Sequence, residues 1–315
     1  MKRCFLFPGQ GAQYVGMGKD LYDDYAEVRR LFADASDLAG FDVPGLVFAG
    51  EEDEIKATDR SQIAITAVNL SVRRVLALRG VTSSAAAGFS LGEYSALVDG
   101  GVLAETHALA LVVERGRIME SVSRSLDSPE GSPGMAAVMG IDVGVIQNAL
   151  ADAGVADVYP ANLNSPVQTV LSGSAAGLEA AGQVLKQAGA RRVIPLKVSG
   201  PFHSPLMAEA RDRFAEVLAN VTFTDPAKPV YSNVTGTLVN TGEEARECCA
   251  QQLVAPVRWV DEEERIADAE YDELLEVGPG EVLSGLWRAY IKANPRITVP
   301  CLPAGTVEKI STITI

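Results

Sequence analysis

Gly88-Phe89-Ser90-Leu91-Gly92 reads G-x-S-x-G. A serine hydroxyl is a weak nucleophile until its placement and a neighbouring base activate it. The pattern supplies the placement if a strand leads in and a helix leads out. Flanking glycines then allow a sharp turn, and the serine stands at a helix N-terminus where N–H groups and the dipole favour negative charge. Both flanks fit: SSAAAGFS (83–90) reads as a small-residue strand entering a turn, and LGEYSALVDGG (91–101) as a helix ending at Gly100-Gly101. The N–H of Leu91 becomes a natural oxyanion donor. The chemistry suggested is nucleophilic catalysis by the serine.

Only two histidines, His107 and His203, can supply a base. His107 sits inside a helical pattern over 105–125 and reads as a helix-face residue. His203 lies in VSGPFHSPLM (198–207), between a Gly-Pro turn and a helix start, a loop position from which a side chain reaches a cleft. His203 is the better base. α/β-Hydrolases carry an acid between serine and histidine, with the histidine near the chain end. Here a long stretch follows His203 and no acid is clearly placed, which leaves a backbone carbonyl or an amide side chain to orient the ring.

The elements that must hold these residues suit a chain of 315 residues: one large domain, or a large one with a smaller one inserted. With 47% hydrophobic and 22% charged residues the chain is not disordered. A net charge of -14 argues against a nucleic-acid partner. Cys4, Cys248, Cys249 and Cys301 have no CxxC spacing and no histidine nearby, so no metal site is expected and four reduced, buried thiols are. The apolar stretch Cys4–Phe7 is too short for a signal peptide, and no run of about 18 apolar residues exists. The expectation is a cytoplasmic chain with no membrane partner.

Cys4–Phe7 is a buried-strand candidate ended by the turn Pro8-Gly9-Gln10-Gly11, with helices following near 19–39 and 59–79. This alternation predicts an α/β fold with a mostly parallel sheet. After the linker SPEGSP (128–133) come strand 134–140, helix 142–154, strands 157–164 and 168–174, helix 175–189 and strand 190–199. That order, β-α-β-β-α-β, is the ferredoxin-like pattern. Residues 127–198 are therefore read as a subdomain inserted into a large α/β-hydrolase-like domain made of 1–126 and 199–315. The return leg is read as helix 205–219, strand 229–236, helix 243–254 and a last strand 273–280, with 306–315 loosely held.

Further stretches combine with these into a resemblance. They are Phe7-Pro8-Gly9-Gln10-Gly11-Ala12-Gln13, Ser61-Gln62, the Ser90 motif continuing as Glu93-Tyr94-Ser95-Ala96-Leu97, Arg115-Gly116 with Met119, Asn162-Leu163-Asn164-Ser165-Pro166, Gly200–Met207, Gln252-Leu253 with Pro256-Val257-Arg258-Trp259, and Glu276-Val277-Gly278-Pro279-Gly280. In this order they resemble the malonyl-CoA:acyl carrier protein transacylases, including stand-alone acyltransferases of polyketide synthases. The resemblance implies Ser90 as nucleophile and His203 as base. It implies the backbone N–H groups of Gln10 and Leu91 as the oxyanion hole, and Arg115 as the residue that holds the malonyl carboxylate, with Arg117 a nearby competitor. Gln62, Met119, Phe202 and Asn162 are implied as substrate-binding residues, and the Gln252 backbone as the group that orients the histidine. An aromatic at Phe202 accompanies malonyl rather than the bulkier methylmalonyl.

The implied substrate is malonyl-CoA with no bound cofactor, and the implied partner is an acyl carrier protein of fatty-acid or polyketide synthesis. Phe89 stands where the family usually has His, as in some polyketide acyltransferases, and Ile63 where it often has Pro. Carrier proteins are usually acidic, so a chain this acidic needs a local basic surface. Lys186, Arg191, Arg192 and Lys197 are the candidates. Two rivals are a carrier-protein acyl hydrolase, which has no need of Arg115, and a non-catalytic docking module, which has no need of Ser90 and His203.

Overall fold

Every residue of Arg3–Phe7 is buried, a pattern found where a strand is covered on both faces of a parallel sheet. The computed structural model describes residues 1–315 and places this segment centrally. The chain runs through β1 (Arg3–Phe7), α1 (Lys19–Asp24), α2 (Ala26–Ala39), α3 (Val43–Ala49), α4 (Glu52–Lys56), α5 (Thr58–Leu78), β2 (Ala85–Gly88), α6 (Gly92–Asp99) and α7 (Glu105–Ser125). Next come β3 (Gly134–Met139), α8 (Val143–Asp152), β4 (Val158–Ser165), β5 (Gln168–Gly173), α9 (Ala175–Gln187) and β6 (Arg192–Pro195). A 3-10 turn at Pro205–Met207 then leads to α10 (Ala208–Leu218), α11 (Gly242–Gln251), α12 (Trp259–Asp268), β7 (Glu273–Glu276), α13 (Val282–Ala293), β8 (Cys301–Pro303) and α14 (Val307–Ser311).

Strands β2-β1-β7-β8 form a parallel sheet in that order. Its strands need no polar face because helices cover them. Helix α5 is buried through most of its length, and α7 packs along it. The one charged side chain on β1, Arg3, is buried and ion-paired with Glu273 on the adjacent strand β7, as a buried charge requires. Because β1 and β2 are parallel neighbours with Phe7 opposite Gly88, the loops after them leave the sheet side by side. Gln10 and Ser90 are thereby brought to one edge, where ligands of open parallel sheets bind.

The second sheet runs β4-β5-β3-β6 and is antiparallel throughout, the ferredoxin-like order expected from the sequence. Asp142 and Ser174 cap α8 and α9 by accepting from the N–H groups of Val145 and Gly177. Its own core is small, six buried residues that include Val138, Leu171 and Leu185.

Several expectations change. The helix over 19–39 breaks at Tyr25, which is extended and joins α1 to α2. Residues 229–236 make only isolated bridges, Val230 to Ala86 and Tyr231 to Leu238, because the segment turns away after two residues. The last strand is β8, not β7, and α12 and α13 add two helices that were not anticipated. The tail is held, not loose: α14 is capped by Thr306 and buries Ile310, and Ile313 is buried after it. The four cysteines are free thiols, all buried.

Candidate active site

Strand β2 ends at Gly88 and α6 begins at Gly92, so the serine falls in the turn between them. Ser90 has φ 50°, a left-handed conformation that a residue with a Cβ rarely adopts. Two distant side chains, Asn233 and Gln252, hold it. Its N–H donates to Asn233 Oδ1 at 2.6 Å, and the Asn233 side-chain NH2 donates to Gly88 O and to Glu262, each at 2.7 Å. Its carbonyl accepts from Gln252 Nε2 at 3.1 Å. A Cβ on Gly88 would collide with the backbone of Gly92, and one on Gly92 with the backbone of Phe7, so the turn admits only glycine at both flanks.

His203 is buried and also left-handed, with φ 58°. Its Nε2 lies 2.7 Å from Ser90 Oγ and its Nδ1 2.7 Å from the Gln252 carbonyl oxygen. A carbonyl only accepts, so Nδ1 carries the proton and Nε2 offers its lone pair to the hydroxyl. Burial, reinforced by the charge of Arg115, pushes the imidazole pKa down to about 4. The ring is therefore neutral, the form a general base requires. No acid completes a triad, and a backbone carbonyl takes that place.

Neither the Gln10 nor the Leu91 backbone N–H donates to an acceptor of the chain, and both residues line the cavity that holds Ser90. Two free donors beside a nucleophile can receive a developing oxyanion.

Arg115, on α7, is 2% exposed. Its Nη1 donates to Gln62 Oε1 and its Nη2 to Gln252 Oε1, both at 2.9 Å, while Nε has no partner. Its Cζ lies 5.6 Å from the Tyr94 ring centroid. A buried guanidinium answered only by two amide oxygens is a cation without a counter-ion, and a ligand carboxylate can supply one. The competitor Arg117 is exposed and pairs with Glu114 instead.

These groups border one cavity of about 260 Å³, roomy enough for a small acyl group. Gln10, Ser90, Leu91, Arg115 and His203 line it, and Phe89, Met119, Asn162 and Phe202 are also in its wall. Gln62 and Gln252 are not in the wall; both are buried behind Arg115 and hold its guanidinium. Lys197 is in the wall, and Leu196 and Val198 are shared with a neighbouring cavity of about 670 Å³ beside α9, β3 and β6.

A family model described as an acyl transferase domain matches residues 4–300. The chain belongs to the acyl transferase family. It is 37% identical over 311 residues to the malonyl CoA-acyl carrier protein transacylase of Bacillus subtilis, covering 98% of this chain and 95% of that one. Among solved structures, an acyl carrier protein S-malonyltransferase from Vibrio cholerae superposes with a TM-score of 0.92 at 37% identity, covering 100% of both chains. A malonyl-transacylase solved in complex with a type II polyketide synthase acyl carrier protein superposes at 0.91 and 37% identity, covering 99% of this chain and 98% of that one.

Within this family member, Phe89 lines the same cavity as His203. It packs edge-on against Trp259, ring centroids 5.3 Å apart, so an apolar residue is at home there. Asn233, Glu93 and Glu262 form the buried support of the turn, and sequence reasoning gave none of them a role. Asn233 meets Ser90 across 143 positions of sequence, and no periodicity marks such a bond. The available signal was chemical: Glu93 is an acid in the middle of the apolar stretch LGEYSALV.

Proposed function

We propose that this chain transfers the malonyl group of malonyl-CoA to the phosphopantetheine thiol of an acyl carrier protein, through an ester on Ser90. His203 Nε2 takes the Ser90 proton as Oγ attacks the thioester carbonyl. The tetrahedral oxyanion sits on the Gln10 and Leu91 N–H groups. The C–S bond then breaks, CoA leaves as the thiol with the proton from His203, and malonyl-Ser90 remains. The carrier thiol repeats the steps in reverse, giving up its proton to His203 and regenerating the Ser90 hydroxyl. Each group in this cycle belongs to the chain or to its two substrates.

The observation that carries the reading is Arg115, a buried cation with no acid against it, in the cavity of the Ser90–His203 pair. A hydrolase of uncharged acyl groups has no use for it. Phe202, buried in the same wall, supports malonyl over methylmalonyl. Residues 127–198 are read as the inserted subdomain and the rest as the catalytic body. The carrier protein is assigned to the edge of the inserted sheet, where Lys186, Arg191, Arg192 and Lys197 are all exposed and Lys197 reaches the cavity. Such a patch counters the overall charge of -14 locally.

Mass spectrometry of the chain after mixing with malonyl-CoA tests the reading. A malonyl adduct on the peptide containing Ser90, discharged by a holo carrier protein and absent in Ser90→Ala, is expected. Release of free malonate in place of transfer, or no adduct at all, would overturn it.

A further inference from the structure

Behind the cavity wall lies a buried polar cluster to which the cycle above assigns no task, and Gln252 is its centre. The side-chain Oε1 accepts from Arg115 at 2.9 Å, the side-chain Nε2 donates to Ser90 O at 3.1 Å and to a Glu93 carboxyl oxygen, and the backbone carbonyl holds His203. One residue thus touches the nucleophile, the base and the arginine. Its amide has two unlike ends. A guanidinium only donates, so the end facing Arg115 must be oxygen. The opposite end is an NH2 that needs acceptors, and Glu93 Oε2 is one of them. The same oxygen also accepts the Asn233 N–H at 3.3 Å.

Glu93 is 1% exposed, on the first turn of α6. An apolar side chain there would avoid the desolvation that a buried carboxyl suffers. Burial pushes this carboxyl up to about 7, even though hydrogen bonds from Gln252 and Asn233 pull it down. Position 93 therefore carries an acceptor that packing alone does not call for.

We propose that Glu93 is a positioning residue: by accepting from Gln252 Nε2 it fixes the amide with its oxygen toward Arg115, and so sets where the guanidinium meets the acyl carboxylate. The proposal rests on the reading of Arg115 as the malonyl-binding residue.

The hydrogen bonds from Gln252 and Asn233 both fall on Oε2, with the Ser232 hydroxyl a further partner of the carboxyl, so a glutamine carbonyl can replace the oxygen that Gln252 uses. Glu93→Gln keeps the reach and loses the charge, whereas Glu93→Asp keeps the charge and falls one methylene short. The test is steady-state transfer to a holo carrier protein from malonyl-CoA and from acetyl-CoA, with a thermal melt of each variant. Glu93→Asp is expected to raise KM for malonyl-CoA about tenfold, the loss of one hydrogen bond in a charged network, and to lower the malonyl-over-acetyl preference with it. Glu93→Gln is expected to hold both within about threefold of wild type, since the hydrogen bond survives. In a Gln252→Ala background, Glu93→Asp should add no more than about twofold, because the partner it acts through is gone.

A purely structural role predicts a lower melting temperature with kcat falling alike for both acyl groups and the preference unmoved; that result overturns the proposal. So does multiplication of the two effects in the double variant. If the Glu93→Asp chain does not fold, Glu93→Gln decides, because a KM raised about tenfold there would mean charge rather than the hydrogen bond is what matters. Arg115→Ala separates the two levels. If it leaves malonyl KM and preference intact, the Arg115 reading fails. If it abolishes the preference while Glu93→Asp keeps it, the Glu93 proposal fails alone.

Discussion

The two sheets of this molecule divide its tasks unequally. In the parallel sheet, β1, β2 and β7 are buried from end to end, and the turn after β2 is locked by hydrogen bonds from two distant residues, Asn233 and Gln252. The antiparallel sheet rests on a six-residue core, and its edge strand β6 shows Arg192, Ile194 and Pro195 to solvent. It lends the cavity Asn162 from β4 and Lys197 just beyond β6. Two left-handed residues 2.7 Å apart through their side chains persist only where the surroundings over-determine them. The parallel sheet and its turns provide that, and the smaller sheet only adds residues to the cavity wall.

The largest effect should come from the parallel-sheet side. His203→Ala is expected to slow Ser90 malonylation on the order of 10³-fold, the scale of lost general-base assistance. Stopped-flow release of CoA in the first turnover measures it, and a drop under tenfold would place the base elsewhere. Next is Arg115→Ala, expected to cut kcat/KM for malonyl-CoA by about 10–100-fold, since charge-assisted hydrogen bonds to the carboxylate disappear. Unchanged malonyl kinetics would detach that residue from the substrate.

The acid limb of the pH profile gives a third measurement. With the imidazole pKa pushed down from 6.5 to about 4, first by burial and then by Arg115, the neutral base persists below pH 6 and is lost only as pH falls through about 4. A kcat/KM limb near 6.5 would mean the ring is solvated in the working state. In Arg115→Ala the limb should move up, because one of the two causes is gone.

The smallest effect is expected on the other sheet. Reversing Arg191, Arg192 and Lys197 to Glu should raise KM for the carrier protein by about 3–10-fold, more at low salt, as lost steering does. Loading from malonyl-CoA should change less than carrier discharge does. If CoA loading fell in parallel, the division of labour between the sheets would not hold.

The sequence made part of this legible, and the reason lies in which interactions are local. Ser90 and its turn were readable because glycine spacing, a small-residue strand and a helix lie within a few positions of each other. The boundaries of α7 were readable for the same reason: a regular amphipathic run between Ala104 and Leu126. The order of the inserted sheet followed from its element order. Gln62 was placed in the cavity wall but supports Arg115 from behind, since a motif gives a residue's neighbourhood and not its depth. Strand β8 is three residues long, too short to carry a period. Asn233 reached its place by folding, through bonds to Ser90 and Gly88 more than 140 positions away.

The group that orients His203 is a peptide carbonyl, and no codon change deletes a carbonyl. Substitution at position 252 removes the amide that faces Arg115, Ser90 O and Glu93 but leaves the ring's anchor in place. Side chains at that one position can therefore vary while the group that orients His203 is inherited intact. The two duties of Gln252 are separable in descent even though they are adjacent in space.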